Sequence, residues 1–480
     1  MDNCALIMVS GRRKQQFSKL LPVAGIMNGD AMSSAACSGE TVHIKRGTNE
    51  MKKNNLMRLL ALISLGFAYG SIYLLPYMKS VFYKPMIAAT GFNNAQLGMM
   101  VTMYTIGTTL TYLPGGWLAD KVKPRYIIPV CLVCNGLLCF AFKFVCTNFH
   151  LSMLIWLLSA LCGGFAFWPA LLKSIRLLGS REEQGRIYGL FEGVNGLASL
   201  LGSALMVYVS TWFANEVAGF QGAVVAMGIL CILAAVFFWF TFNDQMTYNE
   251  DAAEEEGQIQ LRDFVRVLTM PTVWVPALLL FGGVTMFGTM GYMNPFLIDK
   301  MGVAAVSVAF MSSIRDYGCR VGGFGGGWLA DKVFKSSAKW QVVAHLLNAG
   351  LILAFIFIPA GNQVLSISLM FLFALVTYAN RVTTYSMLSE LRVPAKVAAT
   401  ALALVTLIGY SPDFFIHIMY GNWIDQYGVA GFDKIFLYAA AVGVACVPIA
   451  LIGVMMSKKI NKQAVPGTPA ATDETQADLA

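Results

Sequence analysis

Twelve apolar runs, each long enough to cross a bilayer, leave this chain few ways to fold. They fall at approximately 56–79, 95–118, 126–147, 150–173, 186–211, 221–243, 272–298, 304–330, 340–360, 364–388, 396–422 and 434–456. At ~1.5 Å per residue a helix needs about 20 residues to traverse the hydrocarbon, where only helices and closed barrels satisfy their own backbone groups. The period-2 alternation of a barrel strand is absent, so the sequence predicts an all-α membrane protein with twelve transmembrane helices. Of the 480 residues 57% are hydrophobic and 12% charged. A soluble domain carries roughly twice that charge, which excludes an ordinary soluble enzyme, a disordered chain and a secreted disulfide scaffold.

Orientation follows from the basic residues. With an even number of spans both termini share one side. Placing that side in the cytoplasm puts 26 of the 34 lysines and arginines there, five opposite (Lys79, Lys84, Lys143, Lys300, Lys434) and three within spans. Leaving out the six of the N-terminal tail, 20 against five still sets the termini inside. The net charge of +8 therefore reports topology rather than a nucleic-acid partner. The acidic stretch NEDAAEEEGQIQLRDFVR splits the spans six and six. The expected organisation is a cytoplasmic, disordered extension over 1–50, a first bundle over 51–243, a linker over 244–271, a second bundle over 272–456 and a cytoplasmic tail over 457–480.

The two halves share a repeat. GGWLADKV stands at 115–122 and again at 326–333, each time at the cytoplasmic end of the second span of its half. Such duplication is how many secondary transporters are built. In this motif Gly115, Gly116, Gly326 and Gly327 are expected to admit a neighbouring helix. Asp120 and Asp331, beside Lys121 and Lys332, are expected to form a conformational latch. A carboxylate at a helix mouth accepts bonds from backbone amides or a cation in one tilt of the bundle and loses them in the other.

GGWLADKVKPR and GGWLADKVFKSSAK resemble the loop motif G-x-x-x-D-[RK]-x-G-[RK]-[RK] of the major facilitator superfamily. They depart from it at Lys123-Pro124 and Phe334-Lys335, leaving the aspartates untouched. FWPALLKSIRLLGSREEQGRIYGLFEG and IGYSPDFF look more narrowly like bacterial inner-membrane permeases of the YihN type, often grouped with sugar-phosphate permeases. The resemblance implies two pseudo-symmetric six-helix bundles that alternate between inward-facing and outward-facing states in the inner membrane. Spans 1, 4, 7 and 10 would line a central cavity, and 3, 6, 9 and 12 would face lipid. The family's organophosphate exchangers are expected to use arginines in the first and seventh spans; here the first has only Arg58 at its end and the seventh has none.

A charge within hydrocarbon costs roughly 2.5–3.5 kcal/mol, so each one marks a functional candidate. Arg315, Asp316 and Arg320 lie in the eighth span, Arg381 in the tenth, Asp413 in the eleventh and Glu192 in the fifth. Asp316 and Arg320 have the i,i+4 order of an intrahelical pair. Arg315 then lacks a local partner, and Asp413 across helices or an anionic solute would serve. Tyr378 and Tyr385 flank Arg381, Tyr410 and His417 flank Asp413, and Tyr69, Tyr73 and Tyr77 form a stripe in the first span. Phenols in a span need partners for their hydroxyls, which suggests a hydrated wall. Lys173 and Arg176 read as boundary charges. Asn294-Pro295 and Gly409–Pro412 are expected to interrupt the seventh and eleventh helices.

The reading is a monomeric secondary active transporter of a small polar, anionic solute. Arg315, Arg381, Tyr69, Tyr73, Asn294, Tyr378 and Tyr410 would bind the solute, and Asp413 or Glu192 would carry a coupling proton. The alternatives are efflux of cationic or hydrophobic compounds and a membrane sensor that binds without transport. No enzyme, metal or cofactor is expected. The Cys131/Cys134 pair sits inside an apolar run, the four histidines are scattered, and the sequence holds no G-x-x-x-x-G-K-[ST] loop.

Overall fold

The computed structural model describes residues 56–178, 184–243, 266–394 and 397–463. The expected 1–50 extension, most of the 244–271 linker and the end of the 457–480 tail lie outside the described residues. Among the described residues the structure is helical and contains no strand.

The first half runs through six spans. Helix α1 comprises Leu56–Ile72 and Leu74–Ser80, bent by 42° at Tyr73. A short helix over Tyr83–Thr90 leads to α2 at Asn94–Lys121. Next come α3 at Pro124–Val145, α4 at Phe149–Leu177, α5 at Gln184–Ser210 and α6 at Glu216–Thr241. In the second half α7 covers Pro271–Asp299. Helix α8 is pieced together from Ala305–Tyr317, Gly318–Val321, Gly322–Trp328 and Leu329–Val333. Then follow α9 at Ser337–Phe357 and α10 at Gln363–Glu390. Helix α11 is built of Ala398–Gly409, Ser411–Phe414 and Ile416–Tyr427, and α12 spans Ala430–Gln463. Eight of these, and α1 if its bent segments count together, are long and apolar enough to span by composition alone. Threonine- and glycine-rich α2 and the interrupted α8 and α11 complete the twelve.

Local chemistry starts and breaks these helices where it should. Asn93 and Gln96 form a reciprocal capping box at α2, and Asn148, Asn215, Ser336 and Asn362 cap α4, α6, α9 and α10. Pro124 and Pro271 stand in the first turns of α3 and α7. The tightened 3-10 turn Ser411–Phe414 carries Pro412 and puts Asp413 on a broken stretch of α11. In α4 the wide π turn Leu161–Phe167 surrounds Gly163-Gly164, whose carbonyl at Gly163 accepts the Tyr73 hydroxyl at 3.2 Å.

Packing separates the spans by role. The apolar window of α7 is 78% buried against 39% for α12, so α7 runs through the centre and α12 lies at the rim. Phe142, Trp156 and Phe220 fill the core of the first half, and Phe296, Phe355, Phe373 and Phe436 that of the second. The repeat acts alike in both halves. A Cβ at Gly115 would collide with the Phe165 carbonyl of α4, and one at Gly326 with the Ala379 carbonyl of α10. Gly116 and Gly327 meet nothing within 4 Å. Of the four glycines expected to admit a neighbour, Gly115 and Gly326 make the close approach and Gly116 and Gly327 do not, because one residue along a helix turns the side chain ~100° away.

Candidate functional site

The bonds that join the halves concentrate at the end of the bundle opposite the GGWLADKV motifs. Asp425 of α11 accepts the Asn94 amide at 3.1 Å, the Asn94 side-chain amide at 2.6 Å and the Ala95 amide at 2.9 Å. This carboxylate caps the N-terminus of α2 from the other half, where the helix dipole favours an anion. Lys84 pairs with Asp299 at 2.7 Å. Two glycines let α2 and α11 touch backbone to backbone, Gly98 against the His417 carbonyl and Gly421 against that of Asn94. Deeper in the seam the Ser203 and Ser313 hydroxyls are 2.7 Å apart, and Thr102 donates to the Asp413 carbonyl at 3.3 Å.

Arg315 belongs to this seam rather than to an open cavity. Its side chain is fully buried. Nε donates to Asp316 Oδ1 at 2.8 Å, and Nη1 to the Met290 carbonyl at 2.7 Å and to Asn294 Oδ1 at 2.9 Å. Asn294 also accepts from Ser312 at 2.6 Å and donates to the Ser80 carbonyl of the first half. The expected Arg315–Asp413 pairing is not formed, Arg315 meeting Asp316 instead, and the network uses the Asn294 side chain on both its oxygen and its nitrogen. The expected Asp316–Arg320 pair is likewise not formed. Arg320 Nε reaches the Asp316 backbone carbonyl at 3.2 Å, because the 3-10 turn Gly318–Val321 overwinds the helix and removes the i,i+4 alignment. The Tyr378 hydroxyl is engaged too, donating to that same carbonyl at 2.5 Å.

A second group of polar residues lies on α10 and α11 of the second half, toward the middle of the spans. Arg381 donates from Nη2 to the Tyr410 hydroxyl at 2.5 Å, and its guanidinium lies 4.2 Å from the Phe287 ring centroid. No carboxylate pairs with it among the described residues. In the first half the Tyr69, Tyr73 and Tyr77 rings follow one another along α1. Tyr77 is 44% exposed, with its ring centroid 5.6 Å from that of Tyr104. Tyr73 lies between Tyr69 and Tyr77 with its ring tilted to both, its centroid 4.6 Å from that of Tyr69 and 6.3 Å from that of Tyr77. Asp413 Oδ1 stands 3.6 Å from His417 Nε2, is buried and accepts no hydrogen bond among the described residues. Glu192 is exposed.

At the motif end Lys121 lies over the Trp117 ring at 4.1 Å, while Asp331 and Lys332 are exposed. The side chain of Asp120 is outside the described residues. Lys173, expected as a boundary charge, reaches from α4 to the Ala119 carbonyl at 2.8 Å and so ties the motif to the π-bulged helix. Asp425, Lys79 and Tyr292 were missed as well. The last two meet across the seam at 2.8 Å, Lys79 Nζ donating to the Tyr292 hydroxyl.

A duplicated glycine–aspartate motif, twelve helices in two halves and a polar seam between them define a solute transporter rather than an enzyme. The Major Facilitator Superfamily model matches residues 59–416, and the chain belongs to that family. It is 26% identical to the "Inner membrane protein YihN" of Escherichia coli (strain K12), over 86% of this chain and 97% of that one. It is 24% identical to a "Probable hexose phosphate transport protein" of Chlamydia pneumoniae, over 82% of this chain and 90% of that one. Among solved structures, a bacterial homologue of the human lysosomal transporter Spinster superposes with a TM-score of 0.64 at 17% identity, over 85% of this chain and 97% of that one. The protein is an integral inner-membrane transporter of the superfamily fold.

Proposed function

We propose that the chain moves a small organic anion across the inner membrane by alternating access, acting as a monomer with both termini in the cytoplasm. Arg381 recognises the anion and Asp413 carries the coupling proton. The observation that carries this reading is the state of Arg381, a guanidinium enclosed by Tyr410 and Phe287 with no carboxylate partner among the described residues. A planar cation held in place by aromatic faces, with its charge uncompensated, suits a carboxylate, phosphate or sulfonate. The relative named for hexose phosphate transport supports the same class. Asp413 beside His417, with an oxygen free of donors, suits a group that binds and releases a proton as solute approaches Arg381. The excess of basic residues at the motif end supports a cytoplasmic place for that end, and on this reading the seam of Asp425, Lys84 and Asn294 closes the periplasmic side.

The test is uptake into proteoliposomes under an imposed pH gradient, against a panel of glucose 6-phosphate, a sulfonate, a carboxylate and nitrate. Saturable uptake of one of these anions is expected, together with loss of roughly 10-fold or more in affinity for Arg381→Gln, the scale of a charged hydrogen bond. Wild-type transport by Arg381→Gln would overturn the anion assignment. Saturable binding without uptake would make the protein a sensor instead. Arginine variants that work alongside an inactive Asp413→Asn would point to efflux of cations.

A further inference from the structure

We infer that Lys79 is a second anion-contacting residue of the transport site, used only while the periplasmic side is open. The inference rests on the anion reading above and adds to it a residue on the opposite wall and a direction of approach.

Lys79 stands at the end of α1 with 6% of its surface exposed. Its ammonium donates to the Tyr292 hydroxyl at 2.8 Å and lies 4.3 Å from the Tyr292 ring centroid and 5.5 Å from that of Tyr83. No carboxylate pairs with it among the described residues. The neighbouring lysines behave otherwise: Lys84 has Asp299 at 2.7 Å and Lys300 has Asp433 at 3.0 Å. Carboxylates are therefore present on this face, and Lys79 alone of the three is kept from them. A buried cation without a counter-ion destabilises the structure that buries it, so a merely structural lysine would be better replaced by an apolar residue.

What covers Lys79 explains the arrangement. Tyr292 belongs to α7 and donates onward to the His417 carbonyl of α11 at 2.8 Å, with the His417 ring stacked on its own. Both come from the second half. When the halves part on the periplasmic side, that cover leaves with the second half and the ammonium faces water. Its own half then leaves beside it the Tyr83 ring, 5.5 Å from the ammonium. An incoming anion meets Lys79 first and Arg381 deeper in. As the seam closes, the Tyr292 hydroxyl takes the place of the anion on Lys79, and the solute remains with Arg381.

The experiment compares the two faces of the membrane. The probe is glucose 6-phosphate or, where the panel ranks another of its anions higher, that anion. In right-side-out vesicles Lys79→Gln is expected to raise the uptake KM about 10-fold or more, with Lys79→Arg restoring most of it. In inside-out vesicles, where the motif end faces the medium, Lys79→Gln keeps the wild-type affinity and Arg381→Gln loses it. An unchanged KM from the periplasmic side overturns the inference and leaves the Arg381 assignment standing. So does a rise matched by an equally tighter affinity from the cytoplasmic side, because that pattern marks a shifted balance of conformers rather than a lost contact. If no anion of the panel is taken up, the parent reading fails and this one with it.

Discussion

Asp425 reaches out of α11 into the first turn of α2, where its Oδ2 accepts the Ala95 amide hydrogen at 2.9 Å. A carboxylate on exposed helix amides is worth ~0.5–2 kcal/mol as a cap. Here it acts between halves, so its loss weakens closure rather than the helix alone. Asp425→Ala is expected to move the population toward the periplasm-open state by about 2–30-fold. A cysteine at Ser203, which meets Ser313 inside the seam at 2.7 Å, should then react correspondingly faster with an impermeant maleimide added from the periplasmic side. An unchanged rate would mean that Asp425 caps α2 without holding the seam.

Gly98 bears on the same closure through shape. A Cβ there collides with the His417 carbonyl, a backbone atom that has no rotamer to retreat into. Gly98→Leu should therefore prevent α2 and α11 from meeting, while each half, whose own core lies elsewhere, stays folded. Overpacking of this kind costs about 1–3 kcal/mol or more. Spin labels at the exposed positions Ala88 and Gln426 are expected to report a longer distance in the variant than in the wild type. Equal distances would show that the contact yields.

Much of this organisation could be read from the chain, and the failures have physical causes. Apolar runs and the GGWLADKV duplication survive in sequence because lipid and the repeated close approach of helices demand them. Arg381 and Asp413 stood out because charge within a span is costly. Lys79 and Asp425 did not, since each sits at the end of a span, where a charge is ordinary; the meeting of Asp425 with Asn94 joins residues 331 apart in the chain. Arg315 misled for another reason. Adjacent residues on a helix point ~100° apart and do not normally pair, yet the long arginine arm turns back through Nε to Asp316.

That network separates the two intramembrane arginines experimentally. Arg315 has no exposed surface and holds Asp316, Asn294 and the Met290 carbonyl together. Removing one partner of such a buried set leaves the others unsatisfied, at about 3–5 kcal/mol. Arg315→Gln is expected to lower the unfolding midpoint of the purified protein, whereas Arg381→Gln should leave it near wild type and abolish stabilisation by the transported anion. Equal midpoints for the two variants would remove the distinction drawn between them.

Asp413 offers a test of coupling that separates drive from movement. In the variant Asp413→Asn the side chain keeps its shape on the Ser411–Phe414 turn, and the Thr102 contact to its backbone carbonyl is untouched. The asparagine carries no titrating proton. If Asp413 loads and unloads the coupling proton, the variant should still exchange internal for external solute across proteoliposomes at a rate near wild type. It should no longer accumulate solute against a gradient when the pH on one side is changed. Exchange and accumulation lost together would mean that Asp413 is needed for the conformational change itself. Accumulation retained would move the coupling to Glu192, whose own amide variant is then the one expected to uncouple.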